Sequence, residues 1–469
     1  MKLVYGIKDR PKFGQLIVFA IQQLLAIMAA TLVVPVITNG NILDSIADGV
    51  IAWELTSPMS TAAALFGAGV GTLVYVLFTK AKSPVFLGSS FAFLGSMASA
   101  FAGAVSMQAG FVGLIIGAAF AGLVYVVIAL IVKFAGVNWI NKLMPAAVIG
   151  PTVAIIGLSL AVNAIGDLQK ANAGGDSKIA ILCGLVTLAV TMLCSTYGKK
   201  MMKLIPFIFG ILAGYAVATV LTVIGNAAGI DAIKVIDFAP LQALVADGVT
   251  LSTFVSVPDF TFLTALEGIK DLDGAYIATL SVAYVQVAVV VFAEHIADHK
   301  NISSIVEKDL LEDPGLSRTL LGDGVGSIAG AFFGGCPNTT YGESVACVAI
   351  TRNASVSTII AAAIGAILIS FLNPFVAFVN TIPSCVMGGV CMALYGFIAV
   401  SGLKMVQKVD LEQNRNLFVV SVILIAGIGG LTVSFGKVTL TTTACALILG
   451  ILTNLLLSKA KSEPTDGEE

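Results

Sequence analysis

The sequence predicts an all-α polytopic membrane protein with 14 transmembrane segments, arranged as two inverted repeats of seven spans. Three observations predict this fold: the composition, the length of the apolar runs and the distribution of positive charges. Of the 469 residues, 58% are hydrophobic and 11% are charged, whereas an average soluble domain carries roughly 25% charged residues. Apolar runs of about 20 residues, long enough to cross a bilayer, recur from Gln15 to Leu457. Such continuous runs favour helices over the alternating strands of a β-barrel.

The composition also excludes other kinds of partner and site. A net charge of −2 does not supply the basic surface that a nucleic-acid partner requires. The seven cysteines have no CxxC or CxxxC spacing and mostly lie in apolar runs, so we expect packing residues and not disulfides or metal ligands. The N-terminal stretch MKLVYGIKDRPKF is basic but precedes a full-length span, which predicts an uncleaved first helix and not a signal peptide.

The apolar runs divide into 14 predicted spans. All are expected to be helical except the third and the tenth, which are short or interrupted. The spans are predicted near residues 14–36, 59–79, 84–103, 110–133, 145–165, 178–196, 202–226, 273–297, 319–336, 337–351, 355–378, 383–402, 416–432 and 436–458.

The positive charges orient these spans. With both termini in the cytoplasm, 20 of the 25 lysines and arginines fall in inside segments. The five on the outside are Lys170, Lys178, Lys234, Lys270 and Lys437. This is a strong positive-inside bias, and removing any one span would invert every later loop and destroy it. An even number of spans is therefore predicted.

The spans form two halves that are interrupted at equivalent places. The longest extramembrane stretch, roughly Asn226–Asp271, leaves seven spans on each side. Because seven is odd, the second half enters the membrane in the opposite orientation, a common plan in secondary transporters. LGSSFAF (Leu87–Phe93) interrupts the third span of the first half, and PNTTYGE (Pro337–Glu343) interrupts the third span of the second half.

The two interruptions have a functional and a structural interpretation. Irregular backbone survives at membrane depth only against protein or water, because each unsatisfied amide in hydrocarbon costs several kcal/mol. Two such segments facing each other would offer free N–H and C=O groups to a small polar molecule. Alternatively, their small residues merely allow close helix packing. That alternative is open for LGSSFAF and weaker for PNTTYGE, because packing does not require Pro337, Asn338 and Glu343 together.

Acidic residues within the spans are further candidates, since ionisable groups in a membrane are costly and often functional. Besides Glu343, they cluster in FAEHIADH at the end of the eighth span. Glu294 and Asp298 are four residues apart and share one helix face. Glu294 follows a long apolar run and is expected to be buried, where a carboxyl group can exchange a proton and bind N–H groups. The cluster could instead be the solvated end of the span, because Asp298 leads into a polar loop.

The pattern of acids favours a transporter over the other classes of membrane protein. A channel would need a wettable pore with repeated charged rings, and here the carboxylates are isolated. The sequence contains no metal-ligand cluster, nucleophile motif or phosphate-binding loop, so we expect no enzyme activity, metal or cofactor.

The sequence resembles the nucleobase–ascorbate transporter (nucleobase:cation symporter-2) family over nearly its whole length. The resemblance is carried by AEHI, IVEKDLLEDPGLSRTLLGDG, FFGGCPNTTYGE and AITR, and also by LGSSFAF, IPSCVMGGV and LYGFIAVSG. The form NTTYGE is similar to the uracil branch of the family, because purine-transporting members carry a different sequence before the acidic or amide residue.

This resemblance implies two domains and a short strand in each interrupted span. Spans 1–4 and 8–11 would form a core domain, and spans 5–7 and 12–14 a gate domain. The implied boundaries are core 1–135 and 273–380, gate 136–226 and 381–458, an extracellular connection 227–272 and a cytoplasmic tail 459–469.

The resemblance also implies a binding site for uracil between the two strands. Two glutamates would accept hydrogen bonds from its N–H groups, and backbone N–H groups near Phe91 and Gly342 would meet its carbonyl oxygens. Three aromatic side chains would pack around the ring. Gly342 and Gly88 are expected to be intolerant of bulky residues. The implied substrate-binding residues are Phe91, Glu294, Tyr341, Gly342, Glu343 and Tyr395.

The chain departs from the family pattern near the expected proton pathway. Asp298 stands where some members have a histidine one turn after the first glutamate, and Gln23 stands where others have a histidine. Ser344 and Ala346 replace the family's usual Asn and Gly. We expect Glu294 to change protonation during transport, with Asp298 tuning it.

The expected function is proton-coupled import of uracil by alternating access of the core domain against the gate domain. The protein is expected to be a homodimer in the cytoplasmic membrane, with the lipid bilayer around it and without a nucleic-acid partner. Two alternatives are a permease for xanthine, urate or another purine, which pocket size would decide, and an uncoupled nucleobase facilitator, which would not accumulate substrate.

Overall fold

Apolar sequence forms helix along almost the whole chain. The computed structural model describes residues 3–199, 201–246, 248–435 and 438–459. Lys2, Lys200, Lys437 and Lys461, which enter the charge count above, and all of the predicted tail after residue 459 lie outside the described residues.

The first half of the chain, up to the long connection, contains ten described helices and one strand. They are α1 (Phe13–Ala47), α2 (Thr61–Phe78), β1 (Leu87–Ser89), α3 (Leu94–Ala102), α4 (Met107–Ala135), α5 (Asn138–Leu143), α6 (Ala146–Ser159), α7 (Ala161–Leu168), α8 (Ser177–Tyr197), α9 (Met201–Leu204) and α10 (Pro206–Ala228). The connection carries three short helices, α11 (Ala239–Ala243), α12 (Leu251–Phe254) and α13 (Thr261–Gly268).

The second half follows a similar order of elements. It contains α14 (Gly274–Val306), α15 (Leu316–Gly334), β2 (Asn338–Thr340), α16 (Gly342–Thr351), α17 (Val356–Ile369), α18 (Asn373–Asn380), α19 (Ser384–Val406), α20 (Asn414–Ile428), β3 (Val433–Phe435), β4 (Val438–Leu440) and α21 (Thr442–Leu456).

The helices are those of a polytopic membrane protein. Within the described residues, eight helical segments are long and apolar enough to cross a membrane, and five shorter helices are apolar as well. The eight segments are α1, α2, α4, α6 with α7, α8, α10, α14 and α19. All seven cysteines are free and buried, as expected for packing residues.

Several predicted boundaries differ from the structure, most clearly those of the first, the eighth and the fourteenth span. Helix α1 continues to Ala47 and α14 to Val306, beyond the predicted ends at 36 and 297. Hydropathy detects only the apolar part of a helix, and polar residues continue it past that part. The fourteenth span was predicted as continuous helix from 436, but β3 and β4 form a hairpin there and α21 begins at Thr442. The stretch TVSFGKVTLTTT is rich in valine and threonine, which favour strands.

The long helices pack in two bundles. Bundle 1 contains α1–α4 and α14–α17, and bundle 2 contains α6–α8, α10 and α19–α21. Each helix packs mainly against members of its own bundle, for example α15 against α2 and α4, and α19 against α6 and α8. The contacts between the bundles involve chiefly α14 with α6 and α21, and α1 with α10.

Strands β1 and β2 pair with each other inside bundle 1. They are antiparallel, with Gly88 opposite Thr339. The pairing is extended at both ends, because Ser90 N donates to Pro337 O at 2.9 Å and Tyr341 N donates to Phe86 O at 3.2 Å. The expected strands in the two interrupted spans are therefore present, and they satisfy each other's backbone groups within the membrane.

The side chain of Asn338 holds β2 against the neighbouring helices. Its Nδ2 donates to the carbonyl oxygen of Gly67 in α2 at 3.0 Å, and the side chain is 1% exposed. Gly330 of α15 leaves the space that this side chain occupies, since a Cβ there would overlap it. Asn338 therefore links β2 to α2 across α15.

We expect Asn338→Ala to lower the free energy of unfolding by about 1–3 kcal/mol, because it removes the buried hydrogen bond to the carbonyl oxygen of Gly67 and leaves the space beside Gly330 unfilled. Thermal unfolding of the detergent-purified protein measures this effect. Asn226→Ala, at an exposed position near the end of α10, is the matched control. Equal melting temperatures for the two variants would contradict the proposed role of Asn338.

Candidate functional site

Each of the paired strands is followed by a short helix, and the N-termini of the two helices face the same region. A 3₁₀ turn (Phe91–Phe93) and then α3 follow β1, and α16 begins at Gly342 directly after β2. The first N–H groups of a helix have no partner within the helix, and this end carries a partial positive charge. The strand–helix junctions therefore offer hydrogen-bond donors to acceptor groups of a ligand.

A cavity of about 320 Å³ lies at these junctions, between the two bundles. Bundle 1 contributes Phe91, Glu294 and Glu343, and bundle 2 contributes apolar side chains such as Ile156 and Phe397. The cavity extends to Lys203 and Asn301, two exposed residues at one end of the molecule. Ligand sites in proteins span about 300–1,000 Å³, so this volume suits a small ligand.

Three carboxyl groups line the cavity. Glu294 and Glu343 are half-buried, while Asp298 is 7% exposed. The hydroxyl of Thr340 donates to Asp298 Oδ2 at 2.9 Å, which joins β2 to α14. The interpretation of Asp298 as the solvated end of a span is wrong, because α14 continues to Val306 and neighbouring helices cover this turn.

The three predicted aromatic residues occupy different positions around the cavity. Phe91 and Tyr341 line it. The hydroxyl of Tyr341 donates to the carbonyl oxygen of Ser89 at 2.6 Å, which fixes its ring against β1. Tyr395 of α19 is not among the residues that line the cavity; its ring meets Phe91 edge to face, with centroids 5.3 Å apart. Tyr395 therefore packs against Phe91 without lining the cavity itself.

Two residues that depart from the family pattern form one hydrogen-bonded group. The side-chain amide of Gln23 in α1 donates to the hydroxyl of Ser344 at 2.5 Å, and this hydroxyl also accepts from Phe86 N at 2.9 Å. Gln23 and Ser344 together connect α1, α16 and the residue before β1. Ala346 lines the cavity.

A second cavity, of about 260 Å³, lies on the other side of Phe91. Phe91, Ala92 and Ile156 border both cavities. The second cavity is lined further by uncharged polar residues, including Asn41, Asn163 and the three threonines 441–443. A short septum that contains Phe91 thus separates the two cavities.

One buried acidic residue was not predicted from the sequence as a candidate site residue. Asp323 of α15 has 0% exposure and pairs with His295, at 2.7 Å between Oδ2 and Nδ1. The signal was present, because Asp323 lies within the ninth predicted span and is an ionisable residue in an apolar run. Its partner could not be predicted, since the contact depends on how α14 and α15 are rotated against each other.

Comparison with known proteins places these features in one family. The model of the permease family matches residues 14–435. A uracil permease of Bacillus caldolyticus is 36% identical over 459 residues, covering 97% of this chain and 95% of the relative. A uracil permease of Bacillus subtilis (strain 168) is 34% identical over 476 residues, covering 100% and 98%. The transmembrane domain of a cyanobacterium bicarbonate transporter, BicA, has a similar fold, with a TM-score of 0.54 and 13% identity over 97% of this chain and 100% of that chain.

Proposed function

The chain belongs to the permease family, and from this premise we propose that it imports uracil across the cytoplasmic membrane together with protons. Its relatives are permeases, so it is a transport protein and not an enzyme. The observation that carries the proposal is the cavity at the β1–β2 junctions, with Glu294 and Glu343 in its wall.

The cavity has the hydrogen-bonding groups that uracil requires. Uracil has two ring N–H donors and two carbonyl acceptors. The carboxylates of Glu294 and Glu343 accept from the N–H groups, and the N-terminal amides near Phe91 and Gly342 donate to the carbonyl oxygens. Phe91 and Tyr341 pack on the ring, and Tyr395 holds Phe91 in place.

The proposed mechanism is alternating access of bundle 1, as core domain, against bundle 2, as gate domain. The cavity between the bundles supports it, as does the septum at Phe91 that borders a cavity on each side. The cavity that holds Glu343 extends to Lys203 and Asn301, an end that the positive-inside rule assigns to the cytoplasm. The described conformation is then the inward-facing one.

The helix order supports the proposed 14 spans in two inverted repeats. The eight long segments, the five shorter apolar helices and α15 supply one element for each predicted span. Strands β1 and β2 lie at equivalent places in the two halves and pair antiparallel, as an inverted repeat requires. The proposal keeps the core, gate, connection and tail boundaries given above, and a homodimer as the assembly.

Proton coupling is proposed for Glu294 and Asp298. Both line the cavity one helical turn apart, so a proton arriving through the cavity reaches either of them. Two neighbouring carboxyl groups do not ionise independently. Glu294 binds substrate and exchanges the proton, and Asp298, held by Thr340, tunes that exchange.

A purine permease is the second candidate. The cavity volume of about 320 Å³ lies at the lower end of the usual range for ligand sites, about 300–1,000 Å³. A cavity of this volume has room for a single ring or for the fused rings of xanthine and urate, so the preference for uracil rests on the relatives, which are named uracil permeases.

Uptake of labelled uracil into membrane vesicles tests the proposed function. We expect accumulation with an imposed proton gradient and only equilibration without one. Unlabelled xanthine and urate are expected not to compete. Accumulation that does not depend on the proton gradient would contradict proton symport, and strong competition by xanthine would favour the purine candidate.

We expect Asp298→Asn to bind uracil but to change the dependence of uptake on pH. The asparagine oxygen still accepts from Thr340, so the link to β2 is kept, whereas the ionisable group is lost. The measurement is the initial uptake rate against external pH at fixed membrane potential. Thr340→Val, which removes the hydrogen bond and keeps the carboxyl group, is the matched control. Profiles of Asp298→Asn and wild type that superimpose would exclude Asp298 from coupling.

A further inference from the structure

A buried histidine–aspartate pair lies on the side of α14 away from the cavity. His295 Nδ1 is 2.7 Å from Asp323 Oδ2, and both side chains are 0% exposed. Glu294, the preceding residue, lines the cavity, whereas neither member of the pair does. The pair therefore belongs to the packing of α14 against α15 and acts on a ligand only through its neighbours.

The hydrogen bonds around His295 restrict where its protons lie. The hydroxyl of Thr319 donates to the carbonyl oxygen of Leu316 at 3.0 Å, and on this ground we assign a proton to Nε2 of His295, which then donates to the Thr319 oxygen, also at 3.0 Å. With that proton on Nε2, the contact between Nδ1 and Oδ2 of Asp323 needs one further proton. Without a proton in this contact, a lone pair of Nδ1 would face a lone pair of Oδ2. With two protons, an N–H donor would face an O–H donor. The pair then shares one proton and has no net charge.

Burial favours this neutral arrangement over an ionised aspartate beside a neutral ring. Asp323 Oδ1 is buried, and within the described part of the chain it has no hydrogen-bond partner. An uncompensated charge on a carboxylate with one unpaired oxygen is costly in a membrane interior. Sharing a proton with His295 avoids that charge.

Other ionisable groups lie near the pair, on α14 itself and on the helices packed against it. The ring of His299 stacks on that of His295, with centroids 4.1 Å apart, and its Nε2 lies 2.7 Å from the hydroxyl of Tyr75. The ring of Tyr125 is 6.1 Å from that of His295. The groups to be considered are Glu294, Asp298 and His299 of α14, Tyr75 of α2, Tyr125 of α4 and Glu343 of α16.

We propose that His295 and Asp323 are positioning residues for proton coupling, and that their shared proton sets the electrostatic environment of Glu294. When the proton moves, the Nδ1–H bond breaks as the Oδ2–H bond forms, and no proton enters or leaves the pair. The charge on the imidazole ring next to Glu294 changes nevertheless, and so does the potential at the Glu294 carboxyl group. This inference rests on the proposed function, in which Glu294 exchanges the transported proton.

Asp323→Asn tests the shared proton without removing the hydrogen bond. The amide has the shape of the carboxyl group and donates to Nδ1 of a neutral ring, but it cannot share a proton. We expect the purified variant to bind labelled uracil and its vesicles to exchange uracil without a gradient. Gradient-driven accumulation is expected to be lost, and the uptake rate to become insensitive to pH. Accumulation with the wild-type pH profile would overturn the proposal.

Two further variants separate proton sharing from packing. Asp323→Leu removes the hydrogen bond as well, and we expect it to lose thermal stability relative to Asp323→Asn. If Asp323→Asn and Asp323→Leu lose binding and stability equally, the pair is only structural and the proposal is wrong. Asp259→Asn, at an exposed position in the long connection, is the matched control and is expected to behave as wild type.

A spectroscopic measurement reports on the pair even if a variant fails to fold. The chain contains two histidines, so nitrogen-15 histidine labelling of protein with a histidine-free tag gives two imidazole rings. His299→Gln assigns them. We expect His295 to carry a proton on Nε2, with Nδ1 showing the shift of a shared proton. A bare Nε2 on His295 would overturn the proposal.

Failure of this inference is distinguishable from failure of the proposed function. If the wild-type protein neither binds nor accumulates uracil, the proposed function is wrong. The proposed role of the pair in uracil coupling is then wrong as well. If the wild type accumulates uracil and Asp323→Asn does so equally well, only the role of the pair is wrong.

Discussion

Glu343→Gln is expected to weaken uracil binding at least about tenfold, the equivalent of about 1.4 kcal/mol. Glu343 is the second residue of α16, and its side chain lines the cavity. A carboxylate presents only acceptors to the N–H groups of the ligand. Glutamine has the same size but presents an NH₂ group as well, and a donor left facing a donor in a half-buried site costs about 1–3 kcal/mol.

Equilibrium binding of labelled uracil to purified protein measures this loss. Glu312→Gln, at an exposed position away from the cavity, is the matched control and should bind as wild type does. The melting temperature of Glu343→Gln should stay close to that of wild type, because the side chain is half-buried and faces the cavity. Near-normal affinity in this variant would remove Glu343 from the binding site.

The strand positions could be predicted because their signal is local in the sequence. LGSSFAF and PNTTYGE interrupt apolar runs with small and polar residues, and irregular backbone in a membrane must find partners within the protein. The register, with Leu87 opposite Thr340, has no such local signal. It depends on contacts between residues far apart in sequence, such as the bond from Asn338 to Gly67.

The environment of the acids in α14 could be predicted only in part. Hydropathy placed Asp298 at a span end, because the residues after it are polar. The helix continues, and Asp298 and His299 are buried by packing against other helices, which hydropathy does not measure. Asp323 met the same criterion as Glu343, an acid within a predicted span, yet its pairing with His295 required the rotation of two helices to be known.

Gly88 and Gly342 were expected to respond alike to substitution, but their surroundings differ. A Cβ on Gly88 would overlap the ring of Tyr341 and approach the hydroxyl of Thr31. That ring is fixed by its bond to the carbonyl oxygen of Ser89. Among the described residues, a Cβ on Gly342 would meet only Asp298 Oδ1, at 3.9 Å, and Gly342 itself lines the cavity.

Gly88→Ala is therefore expected to lose both stability and binding, whereas Gly342→Ala is expected to lose binding alone. The added methyl at Gly88 displaces Tyr341 and strains the β1–β2 pair, which overpacking typically makes about 1–3 kcal/mol less stable. At Gly342 the methyl group occupies space where the ligand must approach the α16 amides, so the melting temperature is kept and uracil affinity falls. Gly396→Ala in α19 controls for the substitution, because a Cβ there has no neighbour within 4 Å in the part of the chain that the structure describes. An equal loss of melting temperature at both positions would show that Gly342 is packed in the protein, and normal uracil affinity in Gly342→Ala would place the ligand away from the start of α16.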